Sequence, residues 1–165
     1  MSHISTATRK RTERSRRRRQ SEDAVHTPTR NTSLLRFDAS LRIAGIGARH
    51  DSITVDTGLV STYAHRAGDR RSKTIGRLGV WPEDMWRLQS PLGEGAPLEE
   101  HLQWLWTTIA PHKAYFEQLI TEAAWADVCL GCMSSSVFPF WAVPADALGI
   151  TRELKLGLSF NFTLT

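Results

Sequence analysis

Between Phe37 and Ile43 apolar and polar residues alternate strictly: Phe37, Ala39, Leu41 and Ile43 are separated by Asp38, Ser40 and Arg42. A period of two is the signature of a half-buried strand, and an ordered domain is predicted to begin there. Gly45 and Gly47 end that strand. A short helix over Ile53 to Leu59 is expected next, capped by Asp51 or Ser52, although the β-branched Thr54, Val55 and Thr57 weaken it. Val60 to Ala64 reads as a second short strand. His65 to Arg71 then form a polar turn centred on Gly68. Pro82, Glu83 and Asp84 make another turn, from which Met85 to Ser90 continue as a strand with Trp86, Leu88 and Ser90 on one face.

The spacing changes at Leu98. Leu98, Leu102, Leu105 and Ile109 step by four, three and four, and the stripe continues through Phe116, Leu119 or Ile120 to Ala123. That period predicts an amphipathic helix opened by Pro97, with Glu99 and Glu100 near the positive end of its dipole. Pro111 lies inside it and must kink it or divide it near Ala110. Trp125 to Met133 reads as a mostly buried strand. Pro144 to Leu148 reads as a single helical turn that Gly149 ends. Alternation returns from Leu154 to Leu164, where six apolar positions share one face, predicting a long strand lying against helices. Together these elements predict an α+β fold: a mainly antiparallel sheet packed by helices on one face, in the ferredoxin-like split βαβ order with an extra C-terminal strand.

Composition limits the functional classes. A chain of 165 residues, 41% hydrophobic and 23% charged, suits one domain over 34–165 with a tail before it. No apolar run reaches the roughly 18 residues of a membrane span, and the basic start has no apolar signal-peptide core behind it. Two cysteines give no disulfide framework, so a cytoplasmic location is expected. The net charge of +4 hides an asymmetry: residues 1–30 hold nine Arg or Lys against three acids, which leaves −2 for the rest. Residues 1–33 contain almost no large apolar side chains and are predicted to be a disordered Arg-rich tail. Arg16, Arg17, Arg18 and Arg19 are nucleic-acid candidates through phosphate neutralisation, although without interleaved aromatics a solvated tail is the simpler reading.

Few residues suggest chemistry. Cys129 and Cys132 form a CxxC, but inside an apolar strand their side chains point to opposite faces, and no helix follows to stabilise a thiolate. Zinc would need two further ligands at suitable spacing, so structural thiols are expected and no metal. His101 and His112 are about three helical turns apart and cannot share an ion without a fold-back at Pro111, so both are expected to be structural or exposed. The strongest ligand candidates are His65, Arg66, Asp69 and Arg71 on the glycine turn, with Trp86 and Ser90 on the nearby strand, where imidazole, guanidinium and carboxylate could grip a polar group. The competing reading is a turn whose charges satisfy one another. No nucleophile elbow, phosphate loop or dinucleotide fingerprint is present, so no catalytic residue and no cofactor is expected.

One resemblance adds to this. The series Ala39-Ser40-Leu41-Arg42-Ile43, His65-Arg66-Ala67-Gly68-Asp69, Trp86-Arg87-Leu88-Gln89-Ser90 and Leu98-Glu99-Glu100-His101-Leu102 with Leu105 resembles the bacterial family called domain of unknown function 4279, over about residues 37–164. The resemblance implies a small cytoplasmic bacterial protein of α+β type and brings no activity or catalytic residue with it. The basic tail is not part of the family pattern. By analogy with the small α+β proteins of toxin–immunity loci, a non-enzymatic immunity or other partner-binding role is expected, with a protein partner on the sheet edge or the His65 to Arg71 turn. The alternatives are nucleic-acid binding through the tail and a small-molecule site at that turn.

Overall fold

The strand predicted from Phe37 is β1 (Leu35–Ala44), and it forms the centre of a five-stranded sheet. The structure, a computed structural model, describes residues 35–71, 79–137 and 139–165; the tail expected over 1–33 lies outside them. Ala39, Leu41 and Ile43 are fully buried on one face of β1. Because the side-chain period is two, Asp38, Ser40 and Arg42 stand on the other.

Four strands join β1. These are β2 (Tyr63–His65), β3 (Met85–Gln89), β4 (Trp125–Ser134) and β5 (Gly157–Leu164), and the sheet runs β2-β3-β1-β4-β5. The first four pair antiparallel, with Leu41 opposite Leu88 on one side and Val128 on the other. Only β5 is parallel to its neighbour β4. The sheet is therefore mostly antiparallel and the class α+β.

Helices pack on the Leu41 face. α1 (Arg49–Thr57) buries Ile53 there, but it begins four residues before the predicted start and is capped by neither Asp51 nor Ser52. Ser52 instead donates to the Arg49 carbonyl at 3.0 Å. Gly58, at φ 73°, ends the helix before Leu59 by taking a left-handed backbone that other residues avoid. The second short strand is displaced in turn, from 60–64 to β2.

Pro111 divides the long amphipathic segment. α2 (Leu98–Ile109) leads through a 3-10 turn at Ala110–His112 into α3 (Lys113–Glu122). Leu98, Leu102, Leu105, Ile109, Phe116 and Leu119 are buried in one core with Trp86, Leu88, Val128 and Leu130. Pro97 caps α2 from outside the helix instead of opening it.

The C-terminal third departs furthest from expectation. Gly149 does not end a turn; it follows the 3-10 turn Ala145–Leu148 and opens α4 (Gly149–Leu154). A Cβ at this position would lie 3.2 Å from Trp106 Cδ1, so the glycine lets α4 approach α2. Leu154 belongs to that helix, Lys155 turns the chain at φ 54°, and β5 starts only at Gly157. Leu154 and Leu156 are buried, whereas Phe160, Phe162 and Leu164 are 61%, 44% and 58% exposed. The stripe expected to lie under helices runs past the edge of the helical layer.

His101 on α2 is fully buried. Burial favours the neutral imidazole and holds its pKa below the usual 6.5, against the pull of Asp38, Glu100 and the backbone at Gly93 and Ala96. The unfolded chain therefore takes up this proton first. His101's contribution is intact above about pH 6.5 and is lost as pH falls below it, by at most about 1.4 kcal/mol per pH unit for one site. Burial depresses His65 with the same sign. In urea titrations, His101→Leu is expected to flatten the stability loss below about pH 6.5. An unchanged acid limb in that variant would assign the loss to other groups.

Candidate functional site

β2 delivers His65 to the start of the polar turn. Asp69 closes the turn by accepting the Arg66 N–H at 2.6 Å, and Gly68 sits at φ 85°. The chain then pairs with itself: Gly68 N–H reaches Trp81 O at 2.8 Å, Trp81 N–H reaches Asp69 O at 2.9 Å, and Arg71 N–H reaches Gly79 O at 3.0 Å. Trp81 organises what this arm brings together. His65 stacks on its indole at 4.0 Å and 18°, the Arg71 guanidinium lies 4.6 Å from its ring, and Tyr63 meets His65 edge-on at 5.6 Å.

Four predicted site residues, His65, Arg66, Asp69 and Arg71, therefore share one arm. Most of their chemistry is already engaged. Arg66 pairs with the Asp51 carboxylate and donates to Gly47 O at 3.3 Å, tying the arm to α1. His65 is nearly buried, and that burial lowers its pKa despite a hydrogen bond to the backbone at Glu83 and the charges of Asp69 and Asp84. Among the described residues, two buried nitrogens of the arm lack hydrogen-bond partners, His65 Nδ1 and Arg71 Nε.

Trp86 and Ser90 are elsewhere. His65 pairs with Met85 and Ala64 with Trp86, so strand parity sends the Trp86 side chain to the opposite face from His65. There Trp86 packs against Phe116 at 5.9 Å within the core. Ser90 follows the far end of β3, roughly 17 Å along the strand from Met85, and its Oγ accepts the Leu92 N–H at 3.4 Å. The Arg16 to Arg19 candidates lie outside the described residues.

The sheet face opposite the helices holds a second polar group. Arg42 donates to both Asp127 oxygens, at 2.8 and 2.6 Å, and to Ser159 Oγ at 3.0 Å, so one guanidinium spans β1, β4 and β5. The hydrogen bond to Asp127 raises the Arg42 pKa. Beside it Arg87 approaches Asp38 at 3.9 Å, and the Asp38 carboxylate lies over Gly131, where a side chain would collide with it. These charges are mutually matched and brace the sheet.

The CxxC splits across the two faces as its spacing predicts. Cys129 pairs with Ser40 on the polar face, whereas Cys132 pairs with Phe37 and is buried, and burial pushes its thiol pKa up. Cys129 is expected to react with a maleimide first in the folded protein, and Cys132 only on denaturation, as a mass-mapped time course will show. Equal rates would contradict the opposed placement. Among the described residues, no group of three or more His, Cys, Asp and Glu side chains is arranged to hold a metal ion, and no helix is long and apolar enough to cross a membrane.

The feature that the periodicity misplaced is the β5 edge of the sheet. Among the described residues β5 is paired on one side only. Its Phe160, Phe162 and Leu164 stand in register with Leu130, Cys132 and Ser134, on the core face but beyond its cover. Phe140, 88% exposed, and Val137 add apolar surface in the loop after β4, whose Trp141 packs on Phe37 at 6.2 Å. One sequence signal pointed to this edge: GLSFNFTL contains no charge and no proline.

Comparison with known proteins adds one match. No curated protein and no solved structure is similar to the chain. A family model described as "Domain of unknown function (DUF4279)" matches residues 34–164, which includes β1, the polar arm, the divided helix and β5. That span is most of the chain, and the protein belongs to the DUF4279 family.

Proposed function

We propose that this domain is a non-enzymatic binding module that holds a protein partner along the β5 edge. The observation that supports this reading is an eight-residue edge strand with exposed Phe160, Phe162 and Leu164, no lysine or proline within it, and no strand paired on its outer side among the described residues. Monomeric sheet proteins blunt their edges with lysine, proline, bulges or a covering element, because an open row of N–H and C=O groups templates pairing with another chain. Strand addition supplies affinity through the main chain and specificity through alternate side chains. β5 offers both, whereas most polar groups of the His65 to Arg71 arm are occupied within the fold.

Blocking the edge tests this. Thr165 N–H bonds Ser134 O, so odd-numbered β5 residues direct their N–H and C=O groups toward β4 and even-numbered ones direct them outward. Phe160→Pro therefore removes an outward donor while sparing the β4 ladder. The wild-type full chain is expected to associate stoichiometrically with a protein, another copy or a different chain. The variant is expected to bind at least tenfold more weakly with an unchanged far-UV circular dichroism spectrum, with Val80→Lys, also at an exposed site, as the control. Association indifferent to Phe160→Pro, or no association at all, would sink the reading.

A further inference from the structure

Resting on the edge-binding reading, we infer that the occupant of the β5 edge is a second copy of this chain, paired antiparallel about a two-fold axis at Asn161. The inference comes from what β5 presents to itself. With the axis normal to the sheet, both copies turn the same face to the helices, so residues directly opposite must share a face. The outward main-chain groups belong to Leu158, Phe160, Phe162 and Leu164, which must then form the hydrogen-bonded pairs.

Centring the axis on Asn161 satisfies both conditions along the whole strand. Leu158 then faces Leu164, Phe160 faces Phe162, Ser159 faces Thr163, and Asn161 faces Asn161. Every pair is like with like: apolar beside apolar on the helix side, hydroxyl beside hydroxyl and amide beside amide on the other, the combinations that favour cross-strand contact. The reciprocal pairs supply about eight interchain hydrogen bonds. Centring on Phe160 instead would leave Leu164 outside the ladder. The absence of any charge in β5 means that self-pairing brings no like charges together. Most other occupants would have no such match built in, and β5 offers the strongly basic residues 1–30 no acidic side chain to pair with.

The joined sheet would have ten strands, and the exposed Phe160, Phe162 and Leu164 stripes of the two copies would become one apolar surface between two helical layers. This accounts for the continuation of core-type residues past the helices of a single copy. Aromatic pairs across the axis contribute through offset or edge-on packing.

The test uses the full chain. Light scattering after size exclusion is expected to give twice the chain mass of 18.6 kDa. Phe160→Pro and Phe162→Lys are each expected to weaken dimerisation at least tenfold while circular dichroism stays unchanged. A charge pair checks the register: Phe160→Lys with Phe162→Glu places opposite charges across the axis and should dimerise, whereas Phe160→Lys with Phe162→Lys should not. Asn161→Cys should oxidise to a covalent dimer, because directly opposite non-hydrogen-bonded Cα atoms lie about 4.5 Å apart, within disulfide reach. Ser159→Cys should not. A chain that stays monomeric at about 100 μM, or cross-links equally through both cysteines, overturns the inference. Monomeric protein that still captures a different chain in a Phe160-dependent way would leave the edge-binding function standing without it.

Discussion

Phe116→Ala is expected to lower the unfolding free energy by about 3–5 kcal/mol, the range for deleting a fully buried aromatic ring. Phe116 has no exposed surface and sits in the first turn of α3, just after the Pro111 break. Its ring meets Trp86 of β3 at 5.9 Å and Tyr115 edge-on at 5.6 Å. Tyr115 in turn shares a hydrogen bond with Ser52 of α1 at 3.1 Å. Removing the ring leaves a cavity bounded by elements that cannot all collapse toward it. The measurement is the shift of the urea midpoint at constant slope. A loss below about 1 kcal/mol would mean that α3 repacks freely, contrary to the close packing of this core.

Gly45→Ala should cost about 2–4 kcal/mol, by a different route. Gly45 has φ 68°, and a left-handed backbone costs an L-residue roughly 1–2 kcal/mol. The new Cβ would also lie 2.5 Å from Ala124 Cβ, an overlap that must be relieved by movement. Neither segment moves easily. Gly45 N–H bonds Asp84 O at 3.1 Å, Ile46 N–H bonds Asp84 Oδ1 at 2.9 Å, and Ala124 N–H bonds Ala44 O at 2.9 Å. Adding Ala124→Gly should restore the part due to overlap and leave the part due to φ, which a double-mutant cycle separates. Full recovery would show that the backbone conformation itself carries no strain.

The sequence revealed what depends on local periodicity. β1 is legible because polar and apolar residues alternate without interruption, and the division of the long helix is legible because proline at position 111 cannot donate the bond a continuous helix requires. Periodicity also misled at the C terminus. Ile150 and Leu154 are four apart on α4, and Leu154, Leu156 and Leu158 are two apart, so the end of a helical stripe merges into a strand stripe with no polar break. The start of α1 had no signal, since no side chain caps it.

The candidate site depended on register, which no single strand encodes. Trp86 and His65 are near one another in strand order, yet one residue of parity separates the core from the opposite face. The Arg42–Asp127 clamp joins residues 85 positions apart and leaves no local trace. The exposure of Phe160 and Phe162 depends on where the helical layer stops, which is a property of the packed molecule.

The central place of β1 has a consequence during synthesis. Both of its neighbours are distant along the chain: Ile43 pairs with Trp86 on one side and with Ala126 on the other. At ribosomal rates of about 5–20 residues per second, β1 emerges on the order of ten seconds before β4 can join it. Throughout that interval Ala39, Leu41 and Ile43 have no complete shelter. The nascent chain is therefore most exposed to misassociation early, and the sheet's middle strand is completed only after nearly the whole domain has been made.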